Sequence, residues 1–293
     1  MWYADVVSLA YCHVDVFSRL PFGGNSLAVF PDAVDLSAEQ MLRVTQELRH
    51  FEAIYLRPTD DPGTVRARIF DLFEELSFAG HPIIGAAAVL HRRSGARSEQ
   101  SWRFQLPGKT VDITTEATAA GYTGLLDQGP AEFLGSIDDR AQVAAAFALA
   151  PEDLATDLPM EVVSTGLRYL IVPVVPGALA RARIPRDITT MLQGVNAQFA
   201  VLLDDSALEV RHWNNDGIVE DVATGSAAGT IGAYRLRHAL ARGGESFILH
   251  QGQFVGRPSV LRVLAEGSAD HVETVKVGGD VSFVGHGVIE ALP

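Results

Sequence analysis

Two pairs of a glycine and a polar residue stand where the sequence predicts a helix to begin. Gly80-His81 and Gly225-Ser226 are each followed by a run of small and apolar residues. The backbone N–H groups in the first turn of a helix lack helical partners, which suits such a turn to hold an anion. The duplication predicts two related halves with a site between them.

Three side chains in or near these turns could move or hold a proton. Glu52 lies between the end of a predicted helix and an apolar strand. A carboxylate in such surroundings is partly desolvated, which favours its protonated form and suits general acid/base chemistry. A surface acid at a turn explains Glu52 equally well. His81 could equally be a helix cap, and Asp221 could be a partner of a helix dipole.

The acids that precede the two turns extend the repeat. Glu75 and Glu220 occupy equivalent positions, each six residues before the polar residue of its Gly-polar pair. Further upstream, Arg68-Ile69-Phe70 resembles Arg211-His212-Trp213, two residues out of step. The match over these segments supports a duplicated fold.

Composition excludes several classes of partner. The formal net charge of −13 argues against nucleic acid or an anionic membrane surface. No apolar run approaches the roughly 20 residues of a membrane span. Cys12 is the only cysteine, so no intrachain disulfide can form, and a cytoplasmic location is expected. A racemase that uses two thiols is also excluded. An anionic small substrate is still possible, because local hydrogen-bond donors can override the overall negative charge.

Common cofactor and nucleophile motifs are missing from the sequence. Neither glycine turn has the G-x-G-x-x-G spacing of a dinucleotide site. The nine histidines contain no H-x-x-x-H pair and there is no second cysteine, so we expect no zinc site. Ser226 lacks the glycine two residues earlier that a nucleophile elbow requires, because Thr224 stands there.

Hydrophobic patterning alternates between short strands and helices and indicates an α+β fold. Helices are predicted over residues 36–50, with Ser37 as the cap, and at the two small-residue runs that start at His81 and Gly225. A poorly periodic, glycine-rich stretch at 115–135 is interpreted as an inter-domain connection. The predicted domains are 1–122 and 123–293, with the last strand near 283–293 packing back on the first domain.

Several segments match, in order, the motifs of one known family. Phe22–Phe30 resembles the motif G-N-P-x-A-V, Glu75–Pro82 resembles E-L-P-F-A-G-H, and Glu220–Ala227 resembles E-D-P-A-T-G-S-A. Gln251-Gly252 and Gly256–Ser259 together resemble Q-G…G-R-P-S, and Glu52–Tyr55 is a further matching segment. On these motifs the chain resembles the phenazine-biosynthesis PhzF family of the diaminopimelate-epimerase-like superfold.

The resemblance implies a specific architecture and specific residue roles. It implies two similar domains related by pseudo-twofold symmetry, each a barrel-like sheet wrapped on a central helix, with the active site in the cleft between them. Glu52 falls on the family's acid/base, and His81 and Asp221 fall on residues that hold and polarise the substrate. The substrate-binding positions fall on Asn25, Gly80, Gly225 and Ser226, and the Gly-Ser turn holds the substrate carboxylate.

The function implied is that of a cofactor-independent isomerase without a bound metal. It would move a proton within a small cyclic carboxylate of the trans-2,3-dihydro-3-hydroxyanthranilate type, and it would act as a homodimer. An epimerase or racemase of an amino or hydroxy acid, or a non-catalytic ligand-binding homologue, are the alternatives. Departures from the family pattern that plausibly border the pocket are Phe51, Asp71, Leu72, Ser77 and Trp213–Asp216.

Overall fold

A computed structural model describes residues 8–33 and 36–293 of the chain. The start of the predicted first domain, residues 1–7, lies outside the described residues. The chain divides into two compact units, which are Met1–Asp127 with Gly278–Pro293 (unit 1) and Gln128–Val277 (unit 2). Within the described ranges, no helix is long and apolar enough to cross a membrane.

Strands dominate the described residues, and helices are few, which confirms the α+β class. The strands are β1 (Leu9–Val16), β2 (Asn25–Phe30), β3 (Glu52–Pro58), β4 (Thr64–Asp71), β5 (Glu75–Leu76), β6 (Gln100–Gln105), β7 (Thr110–Thr118), β8 (Gly121–Gly129), β9 (Glu132–Ile137), β10 (Met160–Ser164), β11 (Arg168–Pro173), β12 (Phe199–Asp204), β13 (Glu209–His212), β14 (Ser246–Gln251), β15 (Ser259–Gly267) and β16 (Val272–Ile289). The helices are α1 (Ala38–Leu48), α2 (Gly80–Ser94), α3 (Arg140–Ala146), α4 (Thr189–Gly194) and α5 (Gly225–Arg237).

The strands of unit 1 form a closed ring around α2. Their order is β1-β2-β3-β4-β6-β7-β8-β16, and β16 also pairs with β1. Helix α2 packs against β1, β2, β3, β6 and β7. It is buried on nearly every side, as expected for a helix that is apolar all round. A Cβ at Gly85 would collide with the side chain of Leu27, so glycine there allows α2 to approach the sheet.

Helix α1 covers the opposite face of the unit 1 sheet. Ser37 caps it as predicted, because its hydroxyl accepts from the Gln40 N–H while the Gln40 side chain accepts from the Ser37 N–H. Met41 and Val44 of α1 join a buried cluster with residues of β2, β3 and β4. This packing fixes the end of α1, from which the chain enters β3.

The strands of unit 2 run in the order β16-β15-β14-β13-β12-β11-β10-β9. Helix α5 packs against β10, β11 and β15. It carries few large side chains, and a Cβ at Gly232 would collide with the side chain of Val263 on β15. The rest of the unit 2 core lies around α3 and α4 and includes Phe147, Leu170 and Leu202.

One local prediction was wrong in part. The stretch 115–135 is not irregular, since it lies mainly in β7, β8 and β9, although the boundary between the two units falls within it. One of its glycines has a packing role, because a Cβ at Gly124 would crowd Ile84 of α2.

Candidate active site

Glu52 is the first residue of β3 in unit 1. It pairs with Leu27 of β2 on one side and with Asp71 of β4 on the other. Its alternation with Ile54 and Leu56 places it on the sheet face that packs on α2. Only 8% of Glu52 is exposed, so its carboxylate is buried between two strands rather than displayed on a surface turn.

His81 is the side chain that the fold brings to Glu52. It is the second residue of α2 and is buried, with Nε2 lying 3.7 Å from Glu52 Oε2. Gly80 begins the helix, and Ala79 before it provides no side-chain cap. Asn25 is also buried and begins β2, two residues before the strand partner of Glu52. Unit 1 therefore brings together an acid, an imidazole and an uncapped helix start.

An Arg–Glu ion pair holds the segment that leads into α2. Arg68 on β4 donates from Nε and Nη2 to the two carboxylate oxygens of Glu75, at 2.7 and 2.6 Å. Glu75 lies opposite Phe70 in the β4–β5 pairing, and the Arg68 guanidinium lies over the Phe70 ring. A bidentate pair of this kind has restricted geometry. It ties the chain down just before Gly80.

The same arrangement recurs in unit 2 before α5. Arg211 donates to both oxygens of Glu220, at 2.9 and 2.6 Å. Glu220 lies opposite Trp213, and the Arg211 guanidinium lies over the Trp213 ring. The repeat in the sequence therefore corresponds to the same Arg–Glu ion pair, which is present once in each unit.

Asp221 organises the turn that leads into α5. Its carboxylate accepts from the Thr224 hydroxyl at 2.6 Å and from the Ala223 N–H at 3.3 Å. Gln251 reaches the same turn, where its Oε1 accepts from the Thr224 N–H and its Nε2 donates to the Asp221 carbonyl, each at 2.9 Å. The Gln251-Gly252 motif thus serves to hold the Asp221 turn.

The start of α5 is held by two side chains from the sheet of unit 2. Gln128 Nε2 donates to the Gly225 carbonyl at 2.9 Å. The Ser226 hydroxyl lies 2.8 Å from the Tyr169 hydroxyl. Thr224 provides no side-chain cap to the helix, so the first-turn N–H groups are not taken up by that residue.

Sequence reasoning missed polar residues around both helix starts. Tyr169 lies within β11 and belongs to none of the motifs described above. In unit 1, the Ser26 hydroxyl lies 2.9 Å from both His13 Nε2 and His50 Nδ1, and the two imidazole rings are edge to face. Ser26 is next to the strand partner of Glu52, so these hydrogen bonds tie the approach to β3 onto β2. No local pattern links residues from three separate segments.

His212 lies next to the Asp221 turn and is buried among aromatic rings. Its Nδ1 is 2.8 Å from the Ala200 carbonyl, and Tyr169 and Phe199 pack against the ring. Burial lowers the pKa of His212 below its ordinary value of 6.5, against the opposing effect of the charge on Asp221. The ring is therefore neutral and donates its Nδ1 hydrogen to the carbonyl.

The neutral His212 predicts a loss of stability in acid. Below pH 6.5 the unfolded chain protonates this residue while the folded chain resists, so the free energy of unfolding falls as pH falls. Between about pH 7.5 and 5.5, His212→Asn should lose about 1 kcal/mol less stability than the wild type. Urea unfolding at the two pH values measures this. His271→Asn, at an exposed histidine, is the control and should lose as much stability as the wild type. Equal losses of stability in His212→Asn and His271→Asn would contradict the prediction.

The described residues contain no group of three or more His, Cys, Asp or Glu side chains placed to hold a metal ion. Cys12 is half-buried, and burial raises the pKa of its thiol. A raised pKa leaves little thiolate at neutral pH, as expected for a thiol that packs rather than reacts.

The family model of phenazine biosynthesis-like proteins matches residues 14–287 of the chain. The chain belongs to the PhzC-PhzF family. A trans-2,3-dihydro-3-hydroxyanthranilate isomerase of Pseudomonas aeruginosa is 32% identical over 285 residues, which cover 92% of this chain and 95% of that protein. The family therefore includes an isomerase that matches this chain over almost its whole length.

Two solved structures share the fold. A predicted epimerase from Pseudomonas aeruginosa is 46% identical, with a TM-score of 0.89 over 96% of this chain and 99% of that one. A PhzF-family phenazine biosynthesis protein from Bacillus anthracis is 22% identical, with a TM-score of 0.84 over the same shares of the two chains. The second likeness supports the fold alone.

Proposed function

We propose that this chain is a cofactor-independent isomerase that moves a proton between two carbons of a small cyclic carboxylate. The substrate would be of the trans-2,3-dihydro-3-hydroxyanthranilate type, as in the relative from Pseudomonas aeruginosa. The observation that carries the proposal is the buried pair of Glu52 and His81, 3.7 Å apart, in a chain of this family.

Glu52 carries the proton in this proposal. Its carboxylate removes a proton from one carbon, and the electron pair left behind shifts along the conjugated system. The carboxylic acid then returns the proton to a second carbon, so the composition of the substrate is unchanged. Burial favours this role, because few water molecules can reach the carboxylate and compete with the substrate for its proton.

The remaining site residues bind and polarise the substrate. His81 neighbours Glu52 and is placed to orient a polar substrate group, with Gly80 and Asn25 as binding residues. In unit 2, Asp221 contacts the substrate from its ordered turn, and Gly225 and Ser226 hold the carboxylate. First-turn N–H groups and a hydroxyl are suitable donors to an anionic oxygen, which supports this assignment.

Epimerisation is the second candidate, and the similarity to a predicted epimerase at 46% identity favours it. An epimerase removes and returns the proton at one carbon with inversion. The difference from isomerisation is therefore the position and stereochemistry of the carbon that receives the proton.

Incubation in deuterated water distinguishes the two reactions. With trans-2,3-dihydro-3-hydroxyanthranilate we expect a product of unchanged composition with the proton or one deuteron at a new carbon, read by NMR and mass spectrometry. Deuterium at the original carbon, with inversion, would instead favour epimerisation. Binding without any proton relocation or exchange would contradict both reactions and favour a ligand-binding homologue.

Further proposals follow from the family resemblance. We propose that the two units are repeats of one epimerase-like fold, which the recurrence of the Arg–Glu pair before each central helix supports. Homodimerisation and a cytoplasmic location also remain proposals. Sedimentation of the purified protein tests homodimerisation, and fractionation of the source cells tests the cytoplasmic location.

A further inference from the structure

Tyr169 lies outside the family-derived set and contacts one member of it, Ser226. It lies on β11, is only 2% exposed, and its hydroxyl is 2.8 Å from that of Ser226. Either oxygen could donate in an isolated pair. The direction of this hydrogen bond determines what Ser226 can do for a ligand.

The ring of Tyr169 is held from two sides. Phe199 lies opposite it on β12, with ring centroids 5.4 Å apart. His212 packs edge-on at 5.5 Å and is itself fixed by its hydrogen bond to Ala200. A buried ring packed in this way has little rotational freedom, so its hydroxyl is presented at a set position beside the start of α5.

Counting hydrogens gives the direction of the bond. A serine hydroxyl has one hydrogen to donate and lone pairs that accept. To bind a substrate carboxylate, Ser226 must donate that hydrogen to it. Toward Tyr169, the Ser226 oxygen can then only accept a hydrogen bond. The Tyr169 phenol, which is a stronger acid than an alcohol, is the donor.

We propose that Tyr169 is a positioning residue that donates to Ser226 and thereby directs the Ser226 hydrogen toward an anionic oxygen of the substrate. The inference rests on the proposed function, since it assumes that Ser226 binds a carboxylate. Hydrogen bonds in a chain polarise one another, and a bond to a charged acceptor is stronger than a neutral one. Tyr169 acts on the substrate only through Ser226.

Binding of anthranilate, a stable aromatic carboxylate, tests the proposal by calorimetry without needing turnover. Tyr169→Phe removes only the hydroxyl and is expected to weaken anthranilate binding by about 3- to 10-fold. Ser226→Ala is expected to weaken binding at least as much. In the double variant the Tyr169 substitution should add nothing, because its effect passes through Ser226. Aniline, which lacks the carboxylate, should show none of these differences.

A matched control comes from α5, the helix that carries Ser226. Tyr234 on α5 is buried, and its hydroxyl donates to the Pro159 carbonyl at 2.7 Å. Tyr234→Phe therefore also removes one buried hydrogen bond, but it should leave anthranilate affinity unchanged. In turnover, Tyr169→Phe should raise KM with little change in kcat, as expected for lost ground-state binding.

The outcomes separate this inference from the proposed reaction. A Tyr169→Phe effect of equal size with and without Ser226 would overturn it, as would unchanged affinity in Tyr169→Phe. Wild-type protein that isomerises its substrate but does not bind anthranilate would also overturn it. Coupling between Tyr169 and Ser226 in a protein that shows no isomerisation would support the inference while contradicting the proposed reaction.

Discussion

Glutamine in place of Glu52 is expected to reduce isomerase turnover by about 10³-fold, the typical size of a lost general acid/base. Glutamine has nearly the shape of the carboxylic acid and accepts hydrogen bonds, but it cannot take up and return a proton. Because Glu52 is buried beside His81, the neutral amide should be tolerated by the fold. Steady-state turnover and exchange in deuterated water measure the effect.

Glu47→Gln is the control for this experiment. Glu47 is an exposed acid on α1, so the substitution removes the same charge without touching the site. It should keep wild-type turnover. Wild-type turnover in Glu52→Gln would show that another group carries the proton, even if the protein remains an isomerase.

Alanine in place of Gly252 is expected to lower the free energy of unfolding by about 2–4 kcal/mol. Gly252 has a φ of +81°, which disfavours any residue with a Cβ. A Cβ there would also meet the backbone carbonyls of Val222 and Arg257, neither of which is the flexible end of a side chain. Urea or guanidinium unfolding measures the loss.

The consequences of this substitution should reach the Asp221 turn. Gln251 precedes Gly252 and holds the backbone of Asp221 and Thr224, so displacement of Gly252 should weaken substrate binding as well. Gly194→Ala is the control. A Cβ at Gly194 meets nothing within 4 Å, and stability there should be unchanged or higher. Equal free energies of unfolding in the two variants would show that the fold accommodates a Cβ at Gly252, which would contradict the prediction.

Local signals made much of the fold predictable. The capping box at Ser37 indicates α1, and the small-residue runs after Gly80 and Gly225 indicate α2 and α5. Ordered family motifs likewise located Glu52 and His81, and the structure brings these two together. Each of these features is encoded within a few consecutive residues.

What escaped prediction depends on contacts between distant segments. The glycine-rich stretch at 115–135 suggests an irregular inter-domain connection, whereas Gly124 lies in β8 and allows that strand to approach α2. Tyr169 contacts Ser226 across 57 residues of sequence, and Ser26 joins His13 and His50 from different segments. Neither contact has a signature in the periodicity of its own strand, because the partner determines the role.

The repeated Arg–Glu pair has a consequence for how the site could change. In each unit it anchors the entry to the central helix from outside the Gly-polar pair, and in unit 2 it adds to the hydrogen bonds that Asp221 makes within the turn. The side chains of the two turns differ, with Ala79 and His81 before α2 and Thr224 and Ser226 before α5. Different reactive groups can therefore occupy these positions while the same ion pair holds the scaffold. The same positions are therefore where a protein engineer would introduce a new reaction.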